Sequence, residues 1–76
     1  MVQQLNRNSS TGFSNEQYNL ISALYHALES ASTYETYIQD AQQSGNSELV
    51  EFFENVKTKN VETAQKAKEI LSKHIS

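Results

Sequence analysis

Apolar residues recur along the first half of the chain at alternating steps of four and three. The positions are Leu20, Leu24, Ala27, Ala31, Tyr34, Ile38 and Ala41. This spacing keeps one apolar seam on one side of an α-helix. Two flanking sets widen the seam, Ile21, Tyr25 and Leu28 on one side and Tyr37 on the other. A face this wide favours a bundle of several helices over a two-stranded coiled coil.

The same spacing returns after a short break at Ser44-Gly45-Asn46. The second seam consists of Leu49, Phe53, Val56, Asn60, Thr63, Ala67, Ile70 and His74, with Phe52, Ala64 and Leu71 beside it. Gly45 is suited to the left-handed conformation that closes a helix, and either Asn46 or Ser47 is suited to cap the next one. Because the link is so short, we expect the two helices to pack antiparallel.

Local signals set the boundaries of the domain. Ser14 followed by Gln17 predicts a capping box, and Phe13 with Tyr18 predicts a hydrophobic staple around it. The sequence therefore predicts an all-α fold with helices at about 14–44 and 47–75. We expect residues 13–76 to form one two-helix domain and residues 1–12 to be a flexible tail.

The size of the chain predicts an assembly. Its 76 residues contain no cysteine and no proline, so no disulfide or thiolate metal site stabilises so small a core. A lone hairpin would leave much of each apolar face in water, and ordering it costs about 1.5 kcal/mol per residue. We therefore expect two hairpins to dimerise into a four-helix bundle with two-fold symmetry.

The net charge of the chain argues against some classes of binding partner. The formal net charge is −3, which argues against nucleic acids and anionic membranes as partners, since both select basic surfaces. The lysines all fall in the second helix, at Lys57, Lys59, Lys66, Lys68 and Lys73. A solvated face suited to the helix dipole is the first interpretation, and a strip that binds phosphate or acids is the alternative. No signal peptide or membrane span is predicted, so we expect a cytoplasmic protein.

One stretch resembles the helical hairpin of rubrerythrin and other ferritin-like proteins. It reads NLISALYHALESASTYETYIQDAQQSGNSELVEFFENVKTKNVETAQKAKEIL, from residue 19 to residue 71. The residues that carry the resemblance are Tyr34, Tyr37 and Ala41 before Gly45, then Leu49, Phe52, Phe53 and Ala64 after it. The resemblance implies a ferritin-like four-helix bundle in which two hairpins surround a di-iron centre.

The resemblance also implies where the iron ligands would lie, and the ligands are missing. In the family, the first helix supplies a glutamate about five turns before the glycine, and the second supplies Glu-x-x-His. Counted from Gly45, these positions fall on Ala27, Asn60 and Thr63. Hard metal ions need carboxylates and imidazole, so we expect no metal, no cofactor and no catalytic residue at mid-height.

Other polar residues offer weaker alternatives. His26 and Glu29 would lie on one face of the first helix, but the helical periodicity places that face outside the seam. The same periodicity places Glu62 outside the seam of the second helix. A closed metal site needs about four ligands, and these residues do not supply them. His74 lies in the last turn and suits the helix dipole better than a metal. The tyrosines are expected to pack in the core with their hydroxyls at its rim.

Asn60 and Thr63 carry several interpretations, because polar groups in an apolar seam destabilise it unless they are hydrogen-bonded. They would fix the register and oligomeric state of a helical bundle, for example by meeting across a dimer, bond the backbone of their own helix, or be vestiges of a lost site.

We expect a non-catalytic homodimer that serves as a structural or protein-interaction module. One alternative is a metal-binding oxidoreductase or iron-handling protein that uses His26, Glu29 or Glu62 from two chains. Another is that the chain pairs with a different hairpin that carries the ligands.

Overall fold

The computed structural model describes residues 14–75, which form an antiparallel helical hairpin. Helix α1 runs over Asn15–Gln43 and helix α2 over Ser47–Ile75, each 29 residues long. Both predicted helices and the predicted all-α hairpin are confirmed, with helix ends within a residue of those expected. The predicted tail at 1–12 and the staple residue Phe13 lie outside the described residues.

The start of α1 is fixed by the predicted capping box. Ser14 Oγ accepts from the backbone N–H of Gln17, and Gln17 Oε1 accepts from the backbone N–H of Ser14, both at 3.1 Å. Two N–H groups that the first turn leaves open are thereby satisfied. Gln17 has a second role, since its Nε2 donates to the backbone carbonyl of His74 at 3.2 Å and so joins the two helices at their open end.

The turn follows from the backbone freedom of Gly45, which has φ +73°, a conformation that glycine adopts without a steric penalty. The backbone N–H of Gly45 donates to Gln42 O and that of Asn46 to Ala41 O, at 3.1 and 3.0 Å. These two bonds form a Schellman motif, which ends α1. Asn46 Oδ1 then accepts from Leu49 N at 3.1 Å, so Asn46 rather than Ser47 caps α2.

The contact between the helices is built from small side chains. The buried apolar residues of the described chain are Ala27, Ala31, Ile38, Ala41, Ala64 and Ala67, and no side chain is fully buried. Contacts between the helices pair Gln17 with His74 and Ser30 with Asn60. Moving one residue forward along α1 therefore corresponds to moving about one residue back along α2. Larger apolar residues lie at the edges of this contact.

The predicted seam holds for α1 and only in part for α2, where Phe53, Val56, Asn60, Ala67 and Ile70 are buried or half-buried. In α2 the residue that is buried at mid-height is Ala64, at 3% exposure, whereas Thr63 is exposed. Leu49 and His74, also placed in the predicted seam, are exposed as well. The predicted register itself is kept, since three residues on from the Ser30–Asn60 contact Ala27 lies level with Thr63, within one residue of the register set by Gln17 and His74. The difference is that the side chain of Ala64, rather than that of Thr63, turns inward at this height. Thr63 is not part of the hairpin's own core.

Candidate interaction surface

The mid-height positions hold a polar contact between the helices. Asn60 Nδ2 donates to Ser30 Oγ at 3.0 Å, and both residues are half-buried. None of the three interpretations offered for Asn60 included this partner. A buried amide that gains a partner avoids a desolvation cost of about 1–3 kcal/mol. The bond therefore stabilises one register of α1 against α2.

The same positions offer little to a metal ion. Ala27 presents a methyl group, Asn60 a neutral amide already engaged with Ser30, and Thr63 a hydroxyl on the exposed side. Hard metal ions in proteins select carboxylates and imidazole. Among residues 14–75, no three His, Cys, Asp or Glu side chains lie close enough together to hold a metal ion.

The structure does not bring together the other polar residues that were considered as metal ligands. His26 and Glu29 are exposed on α1, and the His26 ring meets Tyr25 edge-on with centroids 5.5 Å apart. Glu62 is exposed on α2, and His74 is exposed at the open end. The alternative metal site built on His26, Glu29 or Glu62 is therefore not formed within one hairpin.

Four aromatic rings form a continuous cluster between the helices near the turn. Tyr34 and Tyr37 are 4.9 Å apart, and both contact Phe53, at 5.9 and 5.6 Å between ring centroids. Phe52 contacts Phe53 at 5.6 Å. Such edge-on and tilted ring pairs stabilise by about 0.5–1.5 kcal/mol beyond the area they bury. The cluster holds the turn end of the hairpin together.

Part of this cluster faces outward. Phe52 is 58% exposed, Tyr37 42% and Leu49 41%. Both tyrosines of the cluster were expected in the core, and only Tyr34 is half-buried. Tyr37 and Leu49 line a shallow, mainly apolar notch with Phe53 and Ala41, and Asp40 and Ser44 line it as well. Val56, Thr63 and Ile70 continue from Phe52 along the same side of α2 at helical spacing. We call this surface, made of Tyr37, Leu49, Phe52, Val56, Thr63 and Ile70, the aromatic face.

The opposite side of the hairpin is polar near the turn. Lys57 forms an ion pair with Glu35 across the two helices. The pair lies in a groove lined also by Gln39, Gln42 and Glu54. We call this side the ion-pair face. One lysine of the predicted basic strip, Lys57, is therefore paired with a carboxylate of its own chain.

Towards the open end, the ion-pair face exposes large apolar side chains. Leu28 is 53% exposed and Tyr25 60%. Leu28 lies seven residues before Glu35, which places the two on the same side of α1. The sequence placed Tyr25 and Leu28 as one flank of the α1 seam, and the structure leaves that flank uncovered.

Sequence reasoning missed two features of these surfaces. Nothing in the apolar periodicity marks Ser30, and a serine inside a helix more often bonds its own backbone. The outward position of Phe52 could have been predicted from the sequence. Phe52 and Phe53 are neighbours about 100° apart around the helix, so one hairpin contact does not cover both rings.

No protein-family model, curated protein or solved structure matches this chain. Neither α1 nor α2 combines the length and hydrophobicity that crossing a bilayer requires. Function is therefore inferred from the surfaces of the hairpin itself.

Proposed function

We propose that the chain is a metal-free relative of the ferritin-like hairpins that acts as a homodimeric structural or protein-interaction module. The two hairpins would form a four-helix bundle, and the protein would have no enzymatic activity. The observation that supports this most strongly is the composition of the hairpin's core, which among the described residues consists of alanines and Ile38.

A core of this kind supports dimerisation because it buries little apolar area. Each alanine contributes roughly one methyl group, at about 0.8 kcal/mol per buried carbon. Ordering a residue costs about 1.5 kcal/mol. The larger side chains that would offset this cost are half-buried or exposed, including Phe52 and Leu49. A second hairpin would bury them and supply the missing stabilisation.

The mid-height residues support the absence of a di-iron site in this proposal. The resemblance places ligands at Ala27, Asn60 and Thr63, and the Asn60 amide is used in the contact with Ser30. An alanine methyl, a neutral amide and a hydroxyl do not replace two glutamates and a histidine. Two copies brought together would add the same three residues and no carboxylate.

The deciding experiment measures solution mass and metal content on one sample. We expect a dimer by sedimentation across micromolar concentrations, with iron, manganese and zinc far below one ion per chain. A hairpin that stays folded and monomeric at low micromolar concentration would overturn the dimer. Stoichiometric metal that survives mild chelation would overturn the metal-free assignment and favour an iron-handling protein.

A further inference from the structure

We propose that two copies pack through their aromatic faces with their turns at opposite ends of the bundle. This rests on the proposed dimer and adds to it the surface and the orientation. In this arrangement the two-fold axis crosses the helices at mid-height, so that α2 of one copy lies antiparallel on α2 of the other.

The spacing of large side chains on α2 fits this axis. Phe52 and Ile70 lie at equal distances on either side of Val61, the midpoint of α2. They are about five helical turns apart and therefore point in the same direction. An axis through that midpoint places Phe52 of each copy over the partner's Ile70.

The volumes of the facing side chains favour the same orientation. The turn end of the aromatic face carries Tyr37 and Phe52, whereas the open end carries the exposed Ala23 and the half-buried Ile70. Facing layers interdigitate when large residues meet small ones. With the turns at the same end, aromatic rings would stack on aromatic rings, and the smaller Ala23 and Ile70 would face their own copies across a gap.

The charges of the hairpin are also unevenly distributed. The turn end carries the carboxylates of Asp40, Glu48, Glu51 and Glu54, and the last turns of α2 carry Lys66, Lys68 and Lys73 beside Glu69. Turns at the same end would bring two acidic ends together. Turns at opposite ends place Glu48 close to the partner's Lys73, and complementary charges of this kind select orientation.

The surface area that a stable dimer must bury requires contact along the whole aromatic face. Phe52, Tyr37 and Leu49 together expose roughly 300 Å² per copy, given about 150–250 Å² for a whole aromatic side chain. A stable interface buries about 800 Å² per partner. The remainder comes from continuing the contact through Val56 and Thr63 to Ile70, which an antiparallel pair of full-length helices provides.

Single cysteines test the orientation cleanly, because the chain contains none. Asn55 and Lys66 are exposed, lie at the edge of the aromatic face and sit nearly symmetrically about the midpoint of α2. Copies with Asn55→Cys are mixed with copies carrying Lys66→Cys in a glutathione redox buffer, so that only neighbouring thiols accumulate as disulfides. We expect a covalent heterodimer on a non-reducing gel.

A second mixture reports the opposite orientation. Thr33 is exposed on α1 and would approach the partner's Asn55 only if both turns were at the same end. Thr58 is exposed on the ion-pair face and serves as the control for random collision. We expect Asn55→Cys to cross-link at least tenfold more with Lys66→Cys than with Thr33→Cys or Thr58→Cys.

The outcomes separate this inference from the proposed function. A dimer by mass that cross-links through Thr33→Cys overturns the orientation, and one that cross-links through Thr58→Cys, or through none of these pairs, overturns the aromatic face as the contact. A monomer by mass overturns the proposed dimer itself.

Discussion

The two broad faces of the hairpin expose similar amounts of apolar surface at their most prominent residues and yet differ in kind. Phe52 on the aromatic face is 58% exposed, and Leu28 on the ion-pair face is 53% exposed. Phe52 adjoins Phe53 within a cluster of four rings. On its own face, Leu28 is followed one heptad later by Glu35, which is engaged with Lys57.

This difference teaches that exposure of single residues does not define an interface. Scattered apolar residues are normal on a soluble protein, whereas a contiguous patch marks a contact. Interface cores are poor in charge and rich in aromatic residues. The aromatic face meets these conditions, and the ion-pair face, with its carboxylates and Lys57, does not.

The largest effect is expected where both the hairpin and the dimer depend on one ring. Phe53→Asp should unfold the protein, since a carboxylate would replace the ring that contacts Tyr34, Tyr37 and Phe52. The loss should exceed about 3 kcal/mol. Leu24→Asp should act in the same way. Circular dichroism measures the loss of helix, with the exposed Asn55→Asp as the control. A well-folded monomer for Phe53→Asp would contradict this expectation.

The comparison of the two faces is tested most directly by a matched pair of substitutions. Phe52→Asp should weaken dimerisation by about 2 kcal/mol or more, roughly thirtyfold in Kd, because central aromatic residues dominate binding. Leu28→Asp introduces the same charge at a similarly exposed site and should change Kd less than about threefold. Sedimentation equilibrium gives both constants. Equal losses, or a larger loss for Leu28→Asp, would reverse the assignment of the faces.

A smaller effect is expected at the polar contact that lies between the helices. Asn60→Ala should destabilise the hairpin by about 1–2 kcal/mol, because it leaves the half-buried Ser30 hydroxyl without this partner. Urea unfolding measures the change. The double variant Ser30→Ala with Asn60→Leu removes both polar groups and should recover most of the stability. If the losses of Ser30→Ala and Asn60→Leu, each measured alone, simply add up in this double variant, the hydrogen bond does not couple the helices.

The smallest effect is expected on the ion-pair face. Glu35→Gln or Lys57→Met should lower stability by only about 0.2–1 kcal/mol, because both groups are partly exposed to solvent. The difference from the unmodified protein should vanish in 1 M salt, where the screening length is about 3 Å. Thermal unfolding at low and high salt measures it. A loss that persists at high salt would indicate packing by the lysine stem rather than charge.

Sequence reasoning was most successful where the chemistry is local. The capping box of Ser14 and Gln17 and the left-handed Gly45 were both predicted, because each depends on residues within one helical turn. The α1 seam was also correct, since one row of that helix is clearly more apolar over most of its length.

The α2 seam was misplaced in part, at Thr63 above all, for an identifiable reason. Apolar residues occupy two neighbouring rows of α2, as at Phe52 and Phe53 and at Ile70 and Leu71. Periodicity alone does not choose between adjacent rows. The choice depends on which row meets α1, and the alanines at 64 and 67 make the closer contact.

The sequence by itself determined two helices, where they end, and the turn that sets them antiparallel. These features depend on hydrogen bonds and side chains only a few residues apart. Tertiary structure alone decided which row of α2 turns inward, that Asn60 meets Ser30, and that Lys57 meets Glu35. These contacts join residues on different helices. They form only when the apolar surfaces of α1 and α2 pack in the register that brings their small side chains together.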